Sequence, residues 1–593
     1  MRFVSEPKKP YYCEVEYLES TGTQYIDTDV YPTGDHRVLL YGSGYDGSGQ
    51  KAFFGVQKTN ERFCEFAIGS GDYIRSAYAN YEPNWLENSF IANKNFLIDK
   101  NKNIVTYYDL DNNISRSNTV NYTSFISTLS MTLFCLNNGT AALYGSFKIK
   151  ACKIYDANTL IRDFIPVLDW NMTPCMYDKV SEQFFYNQGS GSFNVGRQIH
   201  YVQYLESTGT QYINTGIIPT INTEFEQKIK ISGSYLGSSS IFARWSEGPN
   251  YDTFGNNFNA TNYCVIYYGR FSDGKTTSFK IDTQKEFVIK NMKTYVAIND
   301  NKTTVSRSST GWDSSQYPIY LFGANLIGTP YGLTKVKMYY QKIWEDGVLV
   351  RNYFPAVDEN GVGFLFDKVE HKIYDNVGTG AFQYPDIHLD YLESTGTQYI
   401  NTGIIPTINT ATEQKINVVA AGAKVLSFVR WSGYPTYDTF GTYLAGGNIV
   451  VYYGRYSDSK AMSFVFSVNT DYTIKNDISS ITFNSTVKEV TREDVGWTNT
   501  TYPLYLFAGN NMGTPAYFSD TKIYYSKIWD NGILVQNLVP VLHNGEACMY
   551  DTVSKSYFTN QGTETFKFKI KELKSAPVRF IYTNGLRFIK DGV

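Results

Sequence analysis

Short runs of alternating apolar and polar residues make up most of this chain of 593 residues. Residues 481–490, ITFNSTVKEV, are typical, and turn residues recur about every eight to twelve positions. A side-chain period of two indicates β-strands, and this turn spacing is typical of a β-sandwich or jelly roll. The sequence shows no amphipathic pattern long enough for a helix of about 12 residues. The pattern therefore predicts an all-β protein.

A ten-residue sequence, YLESTGTQYI, occurs three times, and each copy begins 187 residues after the one before, at positions 17, 204 and 391. Solenoid repeats have periods of roughly 20–50 residues, so this period corresponds to a whole domain. We therefore expect three tandem domains, called here the first, second and third repeat. They span residues 14–198, 199–387 and 388–567, with an N-terminal arm at 1–13 and a separate segment at 568–593.

Each repeat opens with this motif, which we expect to form a strand, and closes with two further shared blocks. In the first block, Asp346-Gly347 and Asn531-Gly532 stand between apolar runs, which predicts two-residue hairpins. The second block, CMYDKVSEQFFYNQGSGSF at 175–193, recurs at 364–382 and 548–566 and predicts strand, turn, strand and glycine turn. Its shared aspartates are expected to cap local backbone N–H groups; they are Asp178, Asp367 and Asp551.

Composition narrows the class of protein. Aromatic residues make up 16% of the chain and favour strands, while a formal net charge of −3 gives no overall attraction to nucleic acid. Of the seven cysteines, only Cys175 and Cys548 occupy matching repeat positions, so we expect free thiols and no disulfide framework. The sequence shows no secretory signal and no apolar run of about 18 residues, so we expect no membrane insertion.

The last 27 residues differ from the repeats, because they contain seven Lys or Arg and only two acidic residues. Asn584-Gly585 lies between two similar apolar strands, which is a strong hairpin signal. Two interpretations remain open for this basic hairpin. It forms the final sheet edge of the third repeat, or it attaches the chain to a partner.

The opening motif, the FIPVLD strand at 164–169 and the CMYD block resemble the concanavalin A-like, laminin-G-like jelly-roll modules. Such modules are common in virion proteins of tailed phages of gut bacteria and in surface proteins of those bacteria. The resemblance covers about nine tenths of the chain. It implies three sandwiches of two curved antiparallel sheets, which in this family often bind carbohydrate, sometimes with calcium. Fold alone does not settle function.

The candidate binding residues lie in two matching stretches that the first repeat lacks. Aromatic rings stack on the C–H faces of sugars, and Arg and Asp bond to hydroxyl pairs. The candidates are Arg244, Trp245, Tyr251, Asp252, Tyr268 and Arg270 in the second repeat, and Arg430, Trp431, Tyr437, Asp438, Tyr453 and Arg455 in the third. The alternative is structural: core aromatics, with each Arg paired to an Asp at a sheet edge.

Catalytic constellations are not evident in the sequence. Glycoside hydrolysis needs two carboxylates about 5–9.5 Å apart, yet the shared Glu19, Glu206 and Glu393 have no partner acid beside them. His and Cys do not cluster as zinc ligands. We therefore expect no enzyme and no resident cofactor. Calcium is the one cation considered, because loops 45–49 and 271–275 supply oxygen atoms.

The leading hypothesis is a non-enzymatic virion surface protein of a tailed phage, a fibre, decoration or adhesin whose lectin-like domains bind host surface glycans. Its expected partners are other capsid or tail proteins and a host surface polysaccharide, and we expect a homo-oligomer by analogy with phage fibres. Two alternatives stay open: a bacterial carbohydrate-binding or adhesion protein on the cell surface, and a structural virion spacer that binds no sugar.

Overall fold

The computed structural model of the chain describes residues 9–68, 73–87, 90–233, 237–307, 309–312, 314–420, 424–497, 500–572, 580–583 and 586–589. Across these residues the regular structure is β-strand, with single-turn 3-10 helices at Phe271–Asp273 and Tyr456–Asp458 and no α-helix. The all-β prediction is confirmed.

The strands are numbered in chain order. In the first repeat they are β1 Cys13–Val15, β2 Leu18–Glu19, β3 Ile26–Asp27, β4 His36–Ser43, β5 Ala52–Val56, β6 Arg62–Ile68, β7 Tyr73–Ala79, β8 Tyr81–Glu87, β9 Phe96–Asn101, β10 Ile104–Asp109, β11 Ile114–Thr119, β12 Thr132–Leu133, β13 Leu136–Asn137, β14 Ala141–Ala142, β15 Lys148–Asp156, β16 Thr159–Leu168, β17 Pro174–Asp178, β18 Gln183–Phe185 and β19 Asn194–Val195.

In the second repeat they are β20 Gln198–Tyr201, β21 Leu205–Glu206, β22 Ile213–Asn214, β23 Glu224–Ile231, β24 Ile241–Arg244, β25 Asp252–Phe258, β26 Tyr263–Arg270, β27 Thr276–Lys280, β28 Phe287–Asn291, β29 Tyr295–Ile298, β30 Asn301–Thr304, β31 Tyr320–Leu321, β32 Ala324–Leu326, β33 Thr329–Tyr331, β34 Val336–Glu345, β35 Val348–Val357, β36 Gly363–Asp367 and β37 Lys372–Tyr374.

In the third repeat and the C-terminal segment they are β38 Ile387–Glu393, β39 Ile400–Asn401, β40 Thr410–Val418, β41 Lys424–Arg430, β42 Asp438–Ala445, β43 Asn448–Arg455, β44 Ala461–Val465, β45 Asp471–Asn476, β46 Ser480–Phe483, β47 Thr486–Glu489, β48 Tyr505–Leu506, β49 Gly509–Asn511, β50 Thr514–Ala516, β51 Thr521–Asp530, β52 Ile533–His543, β53 Glu546–Asp551, β54 Tyr557–Phe558, β55 Lys567–Ile570, β56 Phe580–Thr583 and β57 Leu586–Ile589.

Each repeat builds a larger and a smaller sheet. The smaller sheets run β22-β31-β24-β25-β26-β27 in the second repeat and β39-β48-β41-β42-β43-β44 in the third. In the first repeat, Val38 of the larger sheet and Phe53 and Phe54 of the smaller sheet belong to one buried cluster. Because both sheets bury one face against the other, the layers form a β-sandwich.

The opening motif does not form the single strand that we expected. In the first repeat its start, β2, pairs with β15 of the larger sheet, whereas its end, β3, pairs with β12 of the smaller sheet. Between them, Gln24 Oε1 accepts the backbone N–H of Thr21 at 2.8 Å, and Ser20 Oγ accepts that of Gly22 at 3.1 Å. These side-chain bonds compete with sheet pairing and make a turn that carries the chain from one layer to the other.

The two ends of a repeat close on each other at a glycine. A Cβ at Gly189 would lie 2.0 Å from the carbonyl oxygen of Thr23, and the matching distance from Gly562 to Thr397 O is also 2.0 Å. No larger residue fits this contact. The shared glycine turn and the shared opening motif are therefore two halves of one structural feature, which explains why they recur together.

The chain divides into two compact units, residues 1–383 with 572–593, and residues 384–571. Within the first unit one sheet runs through two repeats, because β1 pairs with both β16 and β20, and β20 also pairs with β35. The division into three domains with boundaries at 198 and 387 stays a prediction.

The two predicted hairpins are confirmed. Glu345 pairs with Val348 and Asp530 with Ile533 across two-residue loops. In the C-terminal segment, β55 pairs with β38 as a strand of the third repeat's larger sheet, and β56 pairs with β57. The predicted turn at 584–585 lies outside the described residues, and the attachment role stays a prediction.

Candidate functional site

In the smaller sheets of the second and third repeats, some of the predicted site residues point into the sandwich and others lie on the outer face of the sheet. Ser427 Oγ donates to Gln414 of the larger sheet at 2.8 Å, so Ser427 and Val429 point inward. Since side chains alternate along a strand, Phe428 and Arg430 lie on the outer face. In the second repeat Phe242 pairs with Gly255 as Phe428 pairs with Gly441, so Phe242 and Arg244 occupy the positions of Phe428 and Arg430.

On the outer face, each arginine lies among aromatic rings. The guanidinium carbon of Arg430 is 4.8 Å from the ring centre of Tyr437 and 5.8 Å from that of Phe428. The corresponding distances from Arg244 are 5.0 Å to Tyr251 and 5.8 Å to Phe242. These distances are within the range of cation–π attraction, so the rings help to hold the guanidinium in place.

Neither guanidinium has a polar partner. Among the described residues, Arg244 and Arg430 form no ion pair and no side-chain hydrogen bond, and the Nε of each is buried without an acceptor. An unsatisfied buried donor is costly, roughly 1–3 kcal/mol. The second and third repeats both carry this unsatisfied donor, at the matching positions of Arg244 and Arg430.

Further aromatic residues of this surface escaped the sequence analysis. Tyr267 and Tyr452, the first tyrosines of the YYGR motifs, pair with Gly255 and Gly441 on the outer face. Burial raises the pKa of Tyr452 to about 12, and the charge of Arg430 acts in the opposite direction. The alternation of side chains along a strand is the signal in the sequence that could have assigned the first tyrosine of each motif to the outer face and the second to the inner face.

We call this set the arginine–tyrosine surface. It consists of Phe242, Arg244, Tyr251, Tyr267 and Phe271 in the second repeat, and of Phe428, Arg430, Tyr437, Tyr452 and Tyr456 in the third. Phe271 and Tyr456 are 48% and 51% exposed.

Glycines keep the floor of this surface flat. A Cβ at Gly441 would lie 2.1 Å from Ser427 O, and one at Gly255 would lie 2.2 Å from Ile241 O. Both residues also have positive φ, +119° and +129°, a conformation that L-residues rarely adopt. No larger residue therefore fits at either position, where the backbone of the neighbouring strand lies close by.

The other predicted residues lie beneath this surface. Asp252 accepts hydrogen bonds from Arg270 Nε at 2.8 Å and Nη2 at 3.3 Å, and Asp438 accepts the same pair from Arg455. The Nε1 of Trp245 donates to Gly311 O at 2.5 Å. The structure thus brings two residues of each predicted six to the outer face. The remaining ones are Trp245, Asp252, Tyr268, Arg270, Trp431, Asp438, Tyr453 and Arg455.

Two buried arginines, which the sequence analysis missed, support this layer. Arg307 donates to the carbonyl oxygens of Ile221 and Thr223 at 2.7 and 2.6 Å, and Arg492 does the same in the third repeat. Burial lowers the pKa of both to about 10. Their partners are backbone carbonyls, so they serve as internal braces and are not available to a ligand.

The first repeat has no arginine at the position that matches Arg244 and Arg430. Strand pairing places Val56, Ala243 and Val429 at equivalent positions beside Asn137, Asn325 and Asn510. The following residue is Gln57 in the first repeat and Arg244 or Arg430 in the others. The first repeat therefore has an uncharged amide where the other two have the guanidinium.

The acidic residues shared by all repeats have structural partners. Asp178 Oδ1 accepts the backbone N–H groups of Asp163 and Val180 at 2.7 and 3.1 Å, and Asp367 and Asp551 make matching bonds. This confirms the predicted capping. Glu19, Glu206 and Glu393 lie 3.3–4.0 Å from a lysine on the paired strand.

None of the seven cysteines forms a disulfide, and all seven are buried. Burial raises the pKa of Cys135 to about 11 and that of Cys175 to about 12, which keeps both thiols protonated near neutral pH. Within the described part of the chain, no three His, Cys, Asp or Glu residues come together to hold a metal ion. No helix in that part is long and apolar enough to span a bilayer.

Comparison with protein families found no matching family model, and comparison with curated proteins found no match. Among solved structures, domains LG4-5 of the mouse laminin alpha1 chain are 12% identical with a TM-score of 0.21, covering 56% of this chain and 92% of that one.

A mutant Trypanosoma rangeli sialidase displaying trans-sialidase activity is 9% identical with a TM-score of 0.18, covering 88% of this chain and 95% of that one. A point mutant of NanB sialidase from Streptococcus pneumoniae is also 9% identical with a TM-score of 0.18, covering 93% and 98%. At these TM-scores the comparisons assign neither a family nor an activity.

Proposed function

We propose that this chain is a non-enzymatic glycan-binding protein whose binding sites are the arginine–tyrosine surfaces of the second and third repeats. The observation that carries the proposal is the unpartnered guanidinium of Arg244 and Arg430, each held against a tyrosine ring at matching positions. Aromatic faces stack on sugar C–H groups, and a guanidinium donates to sugar oxygens. Two such sites in one chain add avidity to weak single contacts.

The acidic residues support a role without catalysis. Those shared by the repeats cap backbone N–H groups or pair with lysines, so they are not poised as a catalytic pair. The test is incubation of the chain with polysaccharides. Release of oligosaccharides would contradict a purely binding role.

The binding proposal is tested on a glycan array with the wild-type chain and the double variant Arg244→Gln/Arg430→Gln, which copies the first repeat's Gln57. We expect the wild type to bind and the double variant to bind the same glycans markedly more weakly. A suitable control is Arg116→Gln, which removes another arginine that lies over an aromatic ring, Phe90, in the first repeat. Absence of binding by the wild type would favour a structural spacer. Repeating the array with a chelator tests the proposed calcium dependence.

The setting is proposed from the sequence resemblance: the virion surface of a tailed phage, with other capsid or tail proteins as partners and a homo-oligomeric assembly. The alternative is an adhesion protein on a bacterial cell surface. Neighbouring genes for portal and capsid proteins would support the first setting, and genes for polysaccharide use the second. Light scattering of the purified chain tests the oligomeric state.

The first repeat is proposed to dock the chain to its assembly, because it lacks the guanidinium of the other two. Deletion of residues 1–198 should then abolish incorporation into the particle. Incorporation of the shortened chain would contradict this role.

A further inference from the structure

The charge state of the arginine–tyrosine surface limits the class of glycan. Arg270 and Arg455, which lie beneath this surface, each bond to both oxygens of an aspartate. Arg244 and Arg430 have no such carboxylate among the described residues. In both the second and the third repeat, the arginine of the YYGR motif is thus neutralised by an aspartate, whereas Arg244 or Arg430 on the surface above it is not.

From this contrast we infer that the glycan carries a carboxylate, as in a uronic or sialic acid, which binds to the guanidinium of Arg244 and of Arg430. This inference rests on the proposed function and names its ligand class. A planar guanidinium and a carboxylate match in shape and bond bidentately, and such charge-assisted bonds are about twice as strong as neutral ones. A neutral sugar hydroxyl satisfies the same donors less well.

The aromatic rings favour a sugar over a small free anion. The ring of Tyr251 lies against Arg244, its centre is 6.3 Å from that of Phe271, and both rings are exposed. In the third repeat Tyr434, 85% exposed, lies 6.2 Å from Tyr437 and extends the surface outward. A ligand with an acidic group and an apolar ring face uses both the cation and the aromatic rings.

The same features argue against a polyphosphate chain. The formal net charge of the protein is −3, and each surface contributes a single arginine. Binding to a nucleic acid backbone needs several cations along one face. A surface with one arginine among several aromatic rings is better suited to a sugar ring that carries one carboxylate.

Two acidic probes, oligogalacturonate and sialyllactose, test the inference, each beside its carboxyl-reduced neutral form. We expect the wild type to bind at least one acidic probe about tenfold more tightly than its reduced form. That preference should weaken as salt rises, since added ions screen exposed charges. The two probes separate uronic from sialic acids as the source of the carboxylate.

Variants assign the preference to the guanidinium. Arg244→Gln/Arg430→Gln should bind acidic and reduced probes alike, Arg244→Lys/Arg430→Lys should keep part of the preference, and Arg116→Gln should keep all of it. Each variant is first shown to be folded by circular dichroism. Equal binding of acidic and reduced probes by the wild type would overturn the inference while leaving glycan binding intact. Binding to neither form, on these probes and on the array, would overturn the proposed function as well.

Discussion

At the residue scale, the first repeat contains a fully buried ion pair that the described residues of the other repeats lack. Lys100 Nζ lies 2.7 Å from Glu65 Oε1, and both side chains are at most 1% exposed. Ser76 Oγ donates to Glu65 Oε1 at 2.6 Å, and Tyr107 also donates to that carboxylate. The pair lies within the sandwich, so its role is structural.

Replacing Lys100 with Met should therefore destabilise the first unit strongly. The change leaves a buried carboxylate without its cation, which costs about 3–5 kcal/mol. Lys102→Met is the matched control, because Lys102 pairs with Asp35 at the surface and both are more than 40% exposed. Such exposed pairs contribute less than about 1 kcal/mol. Urea unfolding measures both variants, and equal losses would contradict the assignment.

A second residue-scale prediction concerns His371. Its imidazole is buried against Tyr41, with ring centres 5.6 Å apart. Burial lowers its pKa to about 3, and Lys153 acts in the same direction. The unfolded chain binds this proton near pH 6.5, whereas the folded chain does not bind it until about pH 3. Stability from this group is thus complete above pH 6.5 and falls as the pH decreases toward 3.

Between pH 7.5 and pH 5, the wild type should lose about 2 kcal/mol more stability than the variant His371→Asn. Asn does not titrate here, and it tolerates the positive φ of +51° at this position. The measurement is the free energy of unfolding across this pH range. Parallel curves for the two proteins would show that His371 is not neutral in the fold.

The alternation of side chains between the two faces of a strand determines how much of the candidate site could be predicted from the sequence. The stretches around Arg244 and Arg430 stay a prediction as binding sites, whereas the pairing of Arg270 with Asp252 is the one that the structural alternative expected. The six candidates of each repeat were, however, grouped by residue type. Neighbours such as Arg244 and Trp245 point to opposite faces of a strand, so no single surface presents all six. The absence of a partner for Arg244 depends on contacts that only the folded structure shows.

At the element scale, strand content and hairpins followed from local pattern, whereas the crossing of the opening motif between sheets did not. The motif suggests a single strand because it is rich in Tyr, Thr and Ile, which favour strands. The bonds from the Ser20 and Gln24 side chains override that preference and turn the chain. Local propensity does not show which sheet each half joins, because that depends on partners more than 100 residues away.

The final strand gives an element-scale prediction. β55 pairs with β38 between Leu389 and Glu393. Deletion of residues 567–593 would remove it and leave unpaired N–H and C=O groups along β38, which invite pairing with another chain. We expect this truncated chain to self-associate in light scattering, whereas a chain lacking only 573–593 should not. Equal behaviour of the two truncations would show that β55 does not protect this edge.

At the scale of the whole molecule, the sequence repeat indicated how often the module recurs but not how its copies cooperate. Sheet continuity in the first unit depends on pairing of Glu14 with Ile199, residues that belong to different repeats. Arg197 adds ion pairs to Asp358 and Asp375, and Tyr201 donates to Glu14 at 2.9 Å. These links between the first and second repeats have no signature in either repeat alone.

The first unit should therefore unfold as one cooperative body, although it contains two repeats. Calorimetry of a fragment covering residues 1–383 should show one transition, whose calorimetric and van't Hoff enthalpies agree. A fragment covering 199–383 should be less stable, because β20 would lose its partner β1. Arg197→Ala should weaken the coupling, because it removes both ion pairs across the junction. Two well-separated transitions in the wild-type fragment 1–383 would show that the repeats fold independently and that the shared sheet does not couple them.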